Sequence, residues 1–158
     1  MAKQIKYRKV PSGFSRWFYR MPINMYKIGL GGLLGNKFLL LNHIGRKSGL
    51  PRQAVLEVVL HDKETNTYTV NAGFGPKTQW FQNLLAHPDV SIQVGTRKVD
   101  VRARVLSKQE SGETFRRFAS GNRAASMYAR GLGFEVDGTD EDYYDMGTQM
   151  IFINFEPR

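Results

Sequence analysis

The segment from Gly45 to Arg52, which reads GRKSGLPR, combines glycines, cations and a hydroxyl in the way that phosphate-binding loops do. Its two glycines permit a tight backbone path with exposed N–H groups. Arginine, lysine and serine side chains add charge-assisted hydrogen bonds. The candidate residues are Arg46, Lys47, Ser48 and Arg52. They could form a cradle for a phosphate group, and a basic surface hairpin without a ligand explains the pattern equally well.

A second segment, Asn71–Thr78, runs from a strand through a glycine bend into the start of a helix. Small residues let a flat ring approach the backbone, and free N–H groups at the helix start can bond a ring carbonyl or an anionic ring nitrogen. The candidates are Asn71, Ala72, Gly73 and Lys77, with Trp80 and Asn83 in the following helix. The alternative is an ordinary strand-to-helix turn. If both segments lie at the same end of one barrel, they describe an elongated ligand with a phosphate tail and a planar head.

Six strands and three or four helices are expected to position these segments. Alternating or continuous apolar residues predict strands over 37–44, 54–60, 68–72, 90–94, 98–106 and 150–155. The connections between them are too short for helical crossovers, so the strands should be antiparallel. The chain is therefore predicted to be a small α+β protein whose sheet curls into a barrel.

Helical periodicity predicts the remaining elements. Apolar residues at helical spacing indicate helices over 14–35, interrupted at Pro22. Thr78 is a plausible cap for a short helix whose buried side carries Trp80, Phe81, Leu84 and Leu85. Ser107 and Glu110 have the spacing of a capping box, which begins a helical pattern that continues to about Leu132 and splits near Gly121. No element is assigned to the acidic run that follows.

The charge distribution points to an anionic partner. The chain has 158 residues and a net charge of +9, and the first acidic residue is Glu57, which eleven basic residues precede. Nucleic acid, a membrane surface or a phosphorylated small molecule would each suit this asymmetry. Nucleic acid is not expected, because the chain has no nucleic-acid-binding motif and the acidic run from Glu135 to Asp145 would repel a phosphate backbone.

Several classes of chemistry are absent from the sequence. It contains no cysteine, which excludes disulfides, thiolate-bound metals and cysteine nucleophiles. Metalloprotease, P-loop and nucleophile-elbow motifs are missing, and the scattered His43, His61 and His87 do not suggest a metal site. The sequence shows no leader and no apolar run of spanning length, so we expect a cytoplasmic protein. The alternative is a cytoplasmic protein that associates with the inner face of the membrane.

The stretches FLLLNHIGRKSGLPR and TVNAGFGPKTQWFQNLLAHPDVSIQVGTRKVDVRARVL resemble the deazaflavin-dependent nitroreductase and quinone reductase family. Members of this family use coenzyme F420 on a split β-barrel of the FMN-binding type. The resemblance covers Phe38–Leu106 most strongly. It implies an oxidoreductase that passes a hydride from the reduced deazaflavin to a quinone, an enone or a nitro compound. FMN in place of F420, or a non-enzymatic carrier of cofactor, lipid or haem, are the alternatives.

The resemblance also implies roles for individual residues. Arg46, Lys47, Ser48 and Arg52 would hold the phosphate and the acidic tail of the cofactor. Asn71, Ala72, Gly73 and Lys77 would line the deazaflavin, with Trp80 and Asn83 in support. The candidates for tyrosines over the reactive face of the cofactor are Tyr128, Tyr143 and Tyr144.

The predicted organisation is a basic, flexible N-terminus over 1–13 and a single domain over 14–158. Within that domain, 14–35 forms amphipathic helices, 38–106 the core barrel with the cofactor loops, and 107–158 helices, the acidic segment and a closing strand. Trp17, Phe18 and Tyr19 in the N-terminal helix would admit a lipophilic acceptor through a peripheral membrane contact. Barrels of this type often form homodimers, which is the expected assembly.

Overall fold

The computed structural model describes residues 3–4, 37–73, 75–120, 127, 130, 134–135 and 137–158. The helices predicted over 14–35, Tyr128 and most of the predicted helical pattern after Ser120 lie outside these ranges, so those predictions stay predictions.

Six antiparallel strands form a closed barrel in the order β2-β3-β4-β8-β6-β5. These strands are β2 (Phe38–Ile44), β3 (Pro51–Asp62), β4 (Thr67–Asn71), β5 (Asp89–Val94), β6 (Arg97–Val105) and β8 (Phe152–Pro157). β5 pairs with β2 and so closes the barrel. The prediction of an α+β fold with six barrel strands is confirmed. Two further strands of two residues each, β1 (Lys3–Gln4) and β7 (Phe134–Glu135), pair with one another outside the barrel.

The barrel core follows from the alternation of side chains along each strand. Leu39 and Leu41 on β2, Val70 on β4, Ile92 on β5 and Val101 on β6 are fully buried inside it. The same alternation predicts that Val105 also faces the core, but 43% of its surface is exposed, because β6 ends there at the rim of the barrel.

Two of the three described helices were predicted. α1 (Gln79–Ala86) follows the glycine bend, and α2 (Lys108–Ala119) begins with the expected capping box between Ser107 and Glu110. Thr78 precedes α1 but does not cap it with its side chain, because its hydroxyl donates to the Gly75 carbonyl at 2.8 Å. The prediction that Leu85 is buried is wrong: α1 packs through Phe81 and Leu84, and 54% of Leu85 is exposed.

The acidic run contains a third helix, α3 (Asp140–Thr148), that sequence reasoning missed. The Thr139 hydroxyl caps it by accepting from the Asp142 N–H at 3.1 Å. Its first turn holds three acidic residues, whose charge favours the positive end of the helix dipole. α3 packs on α2 where Gly112 and Gly147 allow a close approach, and a second apolar cluster lies between these helices and the barrel.

Candidate functional site

The strand directions bring both candidate segments to one end of the barrel. β2 and β4 each run antiparallel to β3, so they point the same way and their last residues, Ile44 and Asn71, lie at the same end. The loop after β2 is the predicted phosphate cradle, and the bend after β4 leads into α1. The arrangement on which the sequence-based hypothesis depends is therefore present.

Arg46 joins the loop after β2 directly to α1, the helix that follows the second segment. Its backbone N–H donates to Asn83 Oδ1 on α1 at 3.0 Å, and its Nη1 donates to the same oxygen and to Gln79 Oε1, both at 2.9 Å. These bonds hold the loop after β2 against the helix that follows the glycine bend. Gln79 was not among the predicted site residues, because a glutamine in the first turn of a helix has no sequence signal that distinguishes it from a solvated side chain.

His43 completes this network from inside the barrel end. It is 5% exposed and its Nδ1 lies 3.1 Å from Asn83 Nδ2. Burial and the neighbouring Arg52 guanidinium lower the pKa of His43 to about 4, so the imidazole is neutral at neutral pH. Sequence reasoning missed this role. A usable signal was its position on the inward face of β2 after Leu39 and Leu41, because a buried polar side chain requires a partner.

The loop after β2 has the tight path that its glycines predict. Gly45 N donates to the Leu50 carbonyl at 2.9 Å, and Gly49 N donates to the Gly45 carbonyl at 2.8 Å. Gly49 has a φ of 69°, which favours glycine. A Cβ at Gly45 would lie 2.6 Å from Ser48 Oγ and 3.6 Å from Arg52 Nε. The Ser48 hydroxyl and the Arg52 side chain therefore both fold over the start of the loop.

Arg46, Lys47, Arg52 and Lys77 lie in or directly after the two segments. No carboxylate in the described part of the chain is within ion-pair distance of any of the four. By contrast, Arg102 and Arg104 elsewhere on the barrel are paired with Asp89, Glu110 and Glu156. Unpaired cations around a glycine loop fit an anionic ligand, such as a phosphate with an acidic tail.

The glycine bend is anchored to the barrel by its backbone. Ala72 is buried, and its N–H donates to the Ile151 carbonyl at 2.9 Å. Gly75 N then donates to the Ala72 carbonyl at 3.0 Å, with a φ of 94° at Gly75. Asn71 and Gly73 are half-buried, and Lys77 is exposed. At Ala72 and Gly73 the chain therefore presents backbone and small residues at the barrel end, as the approach of a flat ring requires.

Trp80 and Asn83 support the site from within α1. Trp80 packs against the barrel core and meets Phe81 edge to face, with 6.3 Å between the ring centroids. Asn83 is 4% exposed, and its amide forms hydrogen bonds at both ends, with Arg46 through Oδ1 and with His43 through Nδ2. The supporting role predicted for both residues stays a prediction.

The two described tyrosine candidates lie in the helical layer. Tyr143 is buried in the second apolar cluster, where its ring meets Phe115 edge to face with 5.9 Å between centroids. Tyr144 is half-buried against Gly112 of α2. Neither has a described contact with the two segments, so a catalytic role for these residues stays a prediction, as it does for Tyr128.

A cleft of about 390 Å³ opens where β6, α2, α3 and β8 meet. Its lining is half apolar, from Val105, Leu106, Met150 and Ile151, and half polar, from Lys108, Ser111, Thr148 and Gln149. Because β6 ends and β8 begins at the same barrel end as the glycine bend, and because Ile151 bonds Ala72, the cleft adjoins the bend.

The fold and the site together define a class of protein: an antiparallel split β-barrel with a cationic loop and a glycine bend at one end. Solved structures share the fold, among them these two. The F420-H2 dependent reductase FDR-A matches with a TM-score of 0.53 and 24% identity over 77% of this chain and 96% of its own. A Clostridium acetobutylicum protein related to general stress protein 26, of the pyridoxinephosphate oxidase family, matches with a TM-score of 0.51 and 11% identity, over 85% of this chain and 84% of its own.

Sequence comparison narrows this class to one family. The model of the F420H(2)-dependent quinone reductase family matches residues 17–136. Rv3178 of Mycobacterium tuberculosis (strain ATCC 25618 / H37Rv), provisionally named an F420H(2)-dependent quinone reductase, is 32% identical over 100 residues, which cover 60% of this chain and 82% of Rv3178. The chain belongs to the F420H(2)-dependent quinone reductase family. It is an oxidoreductase, and its cofactor is the deazaflavin coenzyme F420.

Proposed function

We propose that this protein reduces a quinone with reduced F420 and holds the two ends of the cofactor on the two segments at the barrel end. The observation that carries the proposal is the set of hydrogen bonds from Arg46 to Gln79 and Asn83, which makes one surface of the loop and the helix after the bend. The cofactor, when bound, supplies the hydride. The chain supplies position, charge and exclusion of water.

The loop after β2 binds the phosphate and the acidic tail in this proposal. Arg46 is held in place by α1, whereas Lys47, Ser48 and Arg52 are exposed. Within the described part of the chain, the backbone N–H groups of Lys47 and Ser48 take part in no hydrogen bond. Two N–H groups and three cations can therefore converge on an anion without breaking an existing ion pair.

The glycine bend lines the ring system. Ala72 and Gly75 are held by the bonds from Ala72 to Ile151 and from Gly75 to Ala72, so these two residues do not need to be ordered when a ligand binds. Asn71 and Gly73 lie at its surface-accessible start, and Lys77 precedes α1. Lys77 would place positive charge beside a ring that carries negative charge in its reduced form.

We place the acceptor in the cleft beside the bend. A volume of about 390 Å³ is large enough for a fused bicyclic quinone, and the lining of Val105, Met150 and Ile151 suits an apolar ring. The Lys108 ammonium can stabilise the negative charge that develops on a quinone oxygen when a hydride is added. A proton from solvent then completes the quinol.

Two measurements on the purified protein test the function. Titration with oxidised F420 should show saturable binding, and menadione should be reduced with oxidation of reduced F420 at steady state. If the purified protein is yellow from bound FMN and does not bind F420, the cofactor assignment is contradicted. Tight binding of F420 with no turnover of any quinone would indicate a carrier.

Filling the cleft tests the acceptor site. We expect Val105→Trp to raise the KM for menadione about tenfold while leaving the Kd for F420 unchanged, because it occupies the apolar lining without touching the cationic loop. The matched control is Lys98→Trp, because Lys98 is exposed at the opposite barrel end. Its neighbour Val99 is not suitable, since Val99 packs on the core. An unchanged KM for menadione in Val105→Trp would place the acceptor elsewhere.

A further inference from the structure

We infer that His43 is a positioning residue for cofactor binding: through Asn83 it holds Arg46 in the conformation that receives the phosphate end of F420. The inference rests on the proposed function, since the placement of Arg46 matters to catalysis only if the loop after β2 binds the cofactor.

Three side chains from three elements form one chain of hydrogen bonds. His43 on β2 contacts Asn83 on α1 at 3.1 Å, and Asn83 accepts from the backbone N–H and from Nη1 of Arg46 at 3.0 and 2.9 Å. His43 and Asn83 are 5% and 4% exposed, so water does not compete for the bond between them, whereas the two bonds from Arg46 are partly buried. The network therefore begins in the barrel and ends in the cationic loop.

The donors of Arg46 determine how the Asn83 amide is oriented. Both bonds from Arg46 need an acceptor, so the amide oxygen faces the loop and the amide NH₂ group faces His43. Nδ1 of His43 must then accept, which requires the neutral ring with its proton on Nε2. A protonated ring would bring two donors together and release Asn83. The bonds from Arg46 thus fix the orientation of the Asn83 amide, and that orientation requires the neutral His43 tautomer with its proton on Nε2.

Alternation along β2 shows that His43 takes a position that an aliphatic side chain would ordinarily fill. Its predecessors on the inward face, Leu39 and Leu41, are completely buried in the apolar core. An unpaired buried imidazole would be costly there. The bond to Asn83 satisfies one ring nitrogen, and it also ties the loop after β2 to α1.

The network leaves the binding groups of the loop available. Arg46 uses its backbone N–H and Nη1 within the protein, and its Nε and Nη2 have no bond within the described part of the chain. Holding a long arginine side chain in advance removes rotamer entropy that the ligand would otherwise have to overcome. Loss of His43 should therefore reduce affinity for the cofactor and leave the chemical step intact.

Three variants test this role. In His43→Leu the acceptor is lost, and we expect the Kd for oxidised F420 and the KM for reduced F420 to rise about three- to tenfold, with kcat at saturating cofactor unchanged. In His43→Asn an oxygen can replace Nδ1 as acceptor, so affinity should return most of the way. The control is His61→Leu at the opposite barrel end, where His61 also bonds an asparagine, Asn66, at 3.0 Å, and stacks on a buried ring.

Coupling between the two partners gives a second test. If His43 acts through Asn83, then adding His43→Leu to Asn83→Leu should cause little further loss of F420 affinity. Full additivity of the two losses would overturn the inference, as would a Kd in His43→Leu no different from that in His61→Leu.

Nitrogen NMR of the ligand-free protein tests the geometry even if a variant fails to fold. The expected result at pH 7 is a neutral His43 ring with a bare Nδ1 and a protonated Nε2. A proton on Nδ1 would refute the inference. The proposed function has a separate test in Lys47→Ala, which does not touch the network: if it weakens F420 binding while His43→Leu does not, only the inference fails, and if neither does, the cofactor site itself is misplaced.

Discussion

At the scale of single residues, the site is marked by unpaired cations that lie close together in the chain. On the outer barrel wall, Arg102 and Arg104 are matched by carboxylates, as Arg102 is by Asp89 at 2.7 Å. Arg46, Lys47 and Arg52 have no such match within the described residues, although they lie within seven positions of one another. Unpaired cations repel each other, and the binding of an anion between them lowers their electrostatic free energy.

We therefore expect Arg52→Ala to raise the Kd for F420 about tenfold or more, because it removes a charge-assisted hydrogen bond to the anionic part of the cofactor. Fluorescence titration measures the change. Arg97→Ala removes the same charge from the exposed start of β6 at the opposite barrel end, and its Kd should remain close to that of the wild type. Equal effects of the two variants would show that only the net charge matters.

His43 links the site to pH. Its native pKa of about 4 lies below the usual histidine value of 6.5, so between these values the unfolded chain binds a proton at His43 that the native protein does not. The free energy of unfolding of the wild type relative to His43→Asn should therefore fall as the pH falls from 7 to 4, by up to about 3 kcal/mol. Urea unfolding at several pH values measures this. A difference independent of pH would contradict the buried, neutral imidazole.

At the scale of elements, the contact between α2 and α3 depends on two glycines. A Cβ at Gly147 would lie 2.5 Å from the Ser111 carbonyl oxygen and 2.7 Å from Gly112 Cα, and one at Gly112 would lie 2.9 Å from the Tyr144 ring. Backbone atoms cannot yield as a flexible side chain can. The close approach of the helices determines where Tyr143 and Tyr144 sit, and it also shapes the side of the cleft formed by Thr148.

Gly147→Ala should destabilise the protein by about 1–3 kcal/mol, because the added methyl group forces the two helices apart. Alanine favours helix over glycine, so any loss observed is a packing effect. Thermal or urea unfolding measures it, with Ser120→Ala at the exposed end of α2 as the control. A gain in stability in Gly147→Ala would show that the helices are not in contact at this point.

At the scale of the whole molecule, a net charge of +9 favours an anionic cofactor, and the closed barrel concentrates part of that charge at one end. In the described residues no helix is both long and apolar enough to cross a membrane. Membrane contact through the N-terminal helix, a cytoplasmic location and homodimer formation stay predictions.

The affinity for F420 should fall as salt rises from 0.05 to 0.5 M, because screening weakens attraction between an exposed cationic loop and an anionic tail (Debye length about 10 Å at 0.1 M). A deazaflavin that lacks the phosphate and the acidic tail is the matched ligand, and its weaker binding should depend little on salt. Isothermal titration at several salt concentrations measures both. Parallel salt dependence for the two ligands would mean that the loop does not hold the tail.

Periodicity and composition were sufficient to predict the six barrel strands, α1 and the capping box of α2, because these features depend on residues close together in the chain. The resemblance over Phe38–Leu106 led to the family. Helix α3 was not predicted, because a run of acidic residues indicates charge more directly than helix, although Thr139 followed by three acids is also a helix start.

The remaining features depended on closure of the barrel. His43 and Asn83 are forty positions apart and Arg46 and Gln79 thirty-three, and nothing local in the sequence marks them as partners. Leu85 and Val105 have the spacing of buried residues but lie where the helix and the strand leave the core. Local pattern determines which face of an element is apolar, whereas only packing decides how far that face is covered and which polar groups meet, since both depend on contacts between distant parts of the chain.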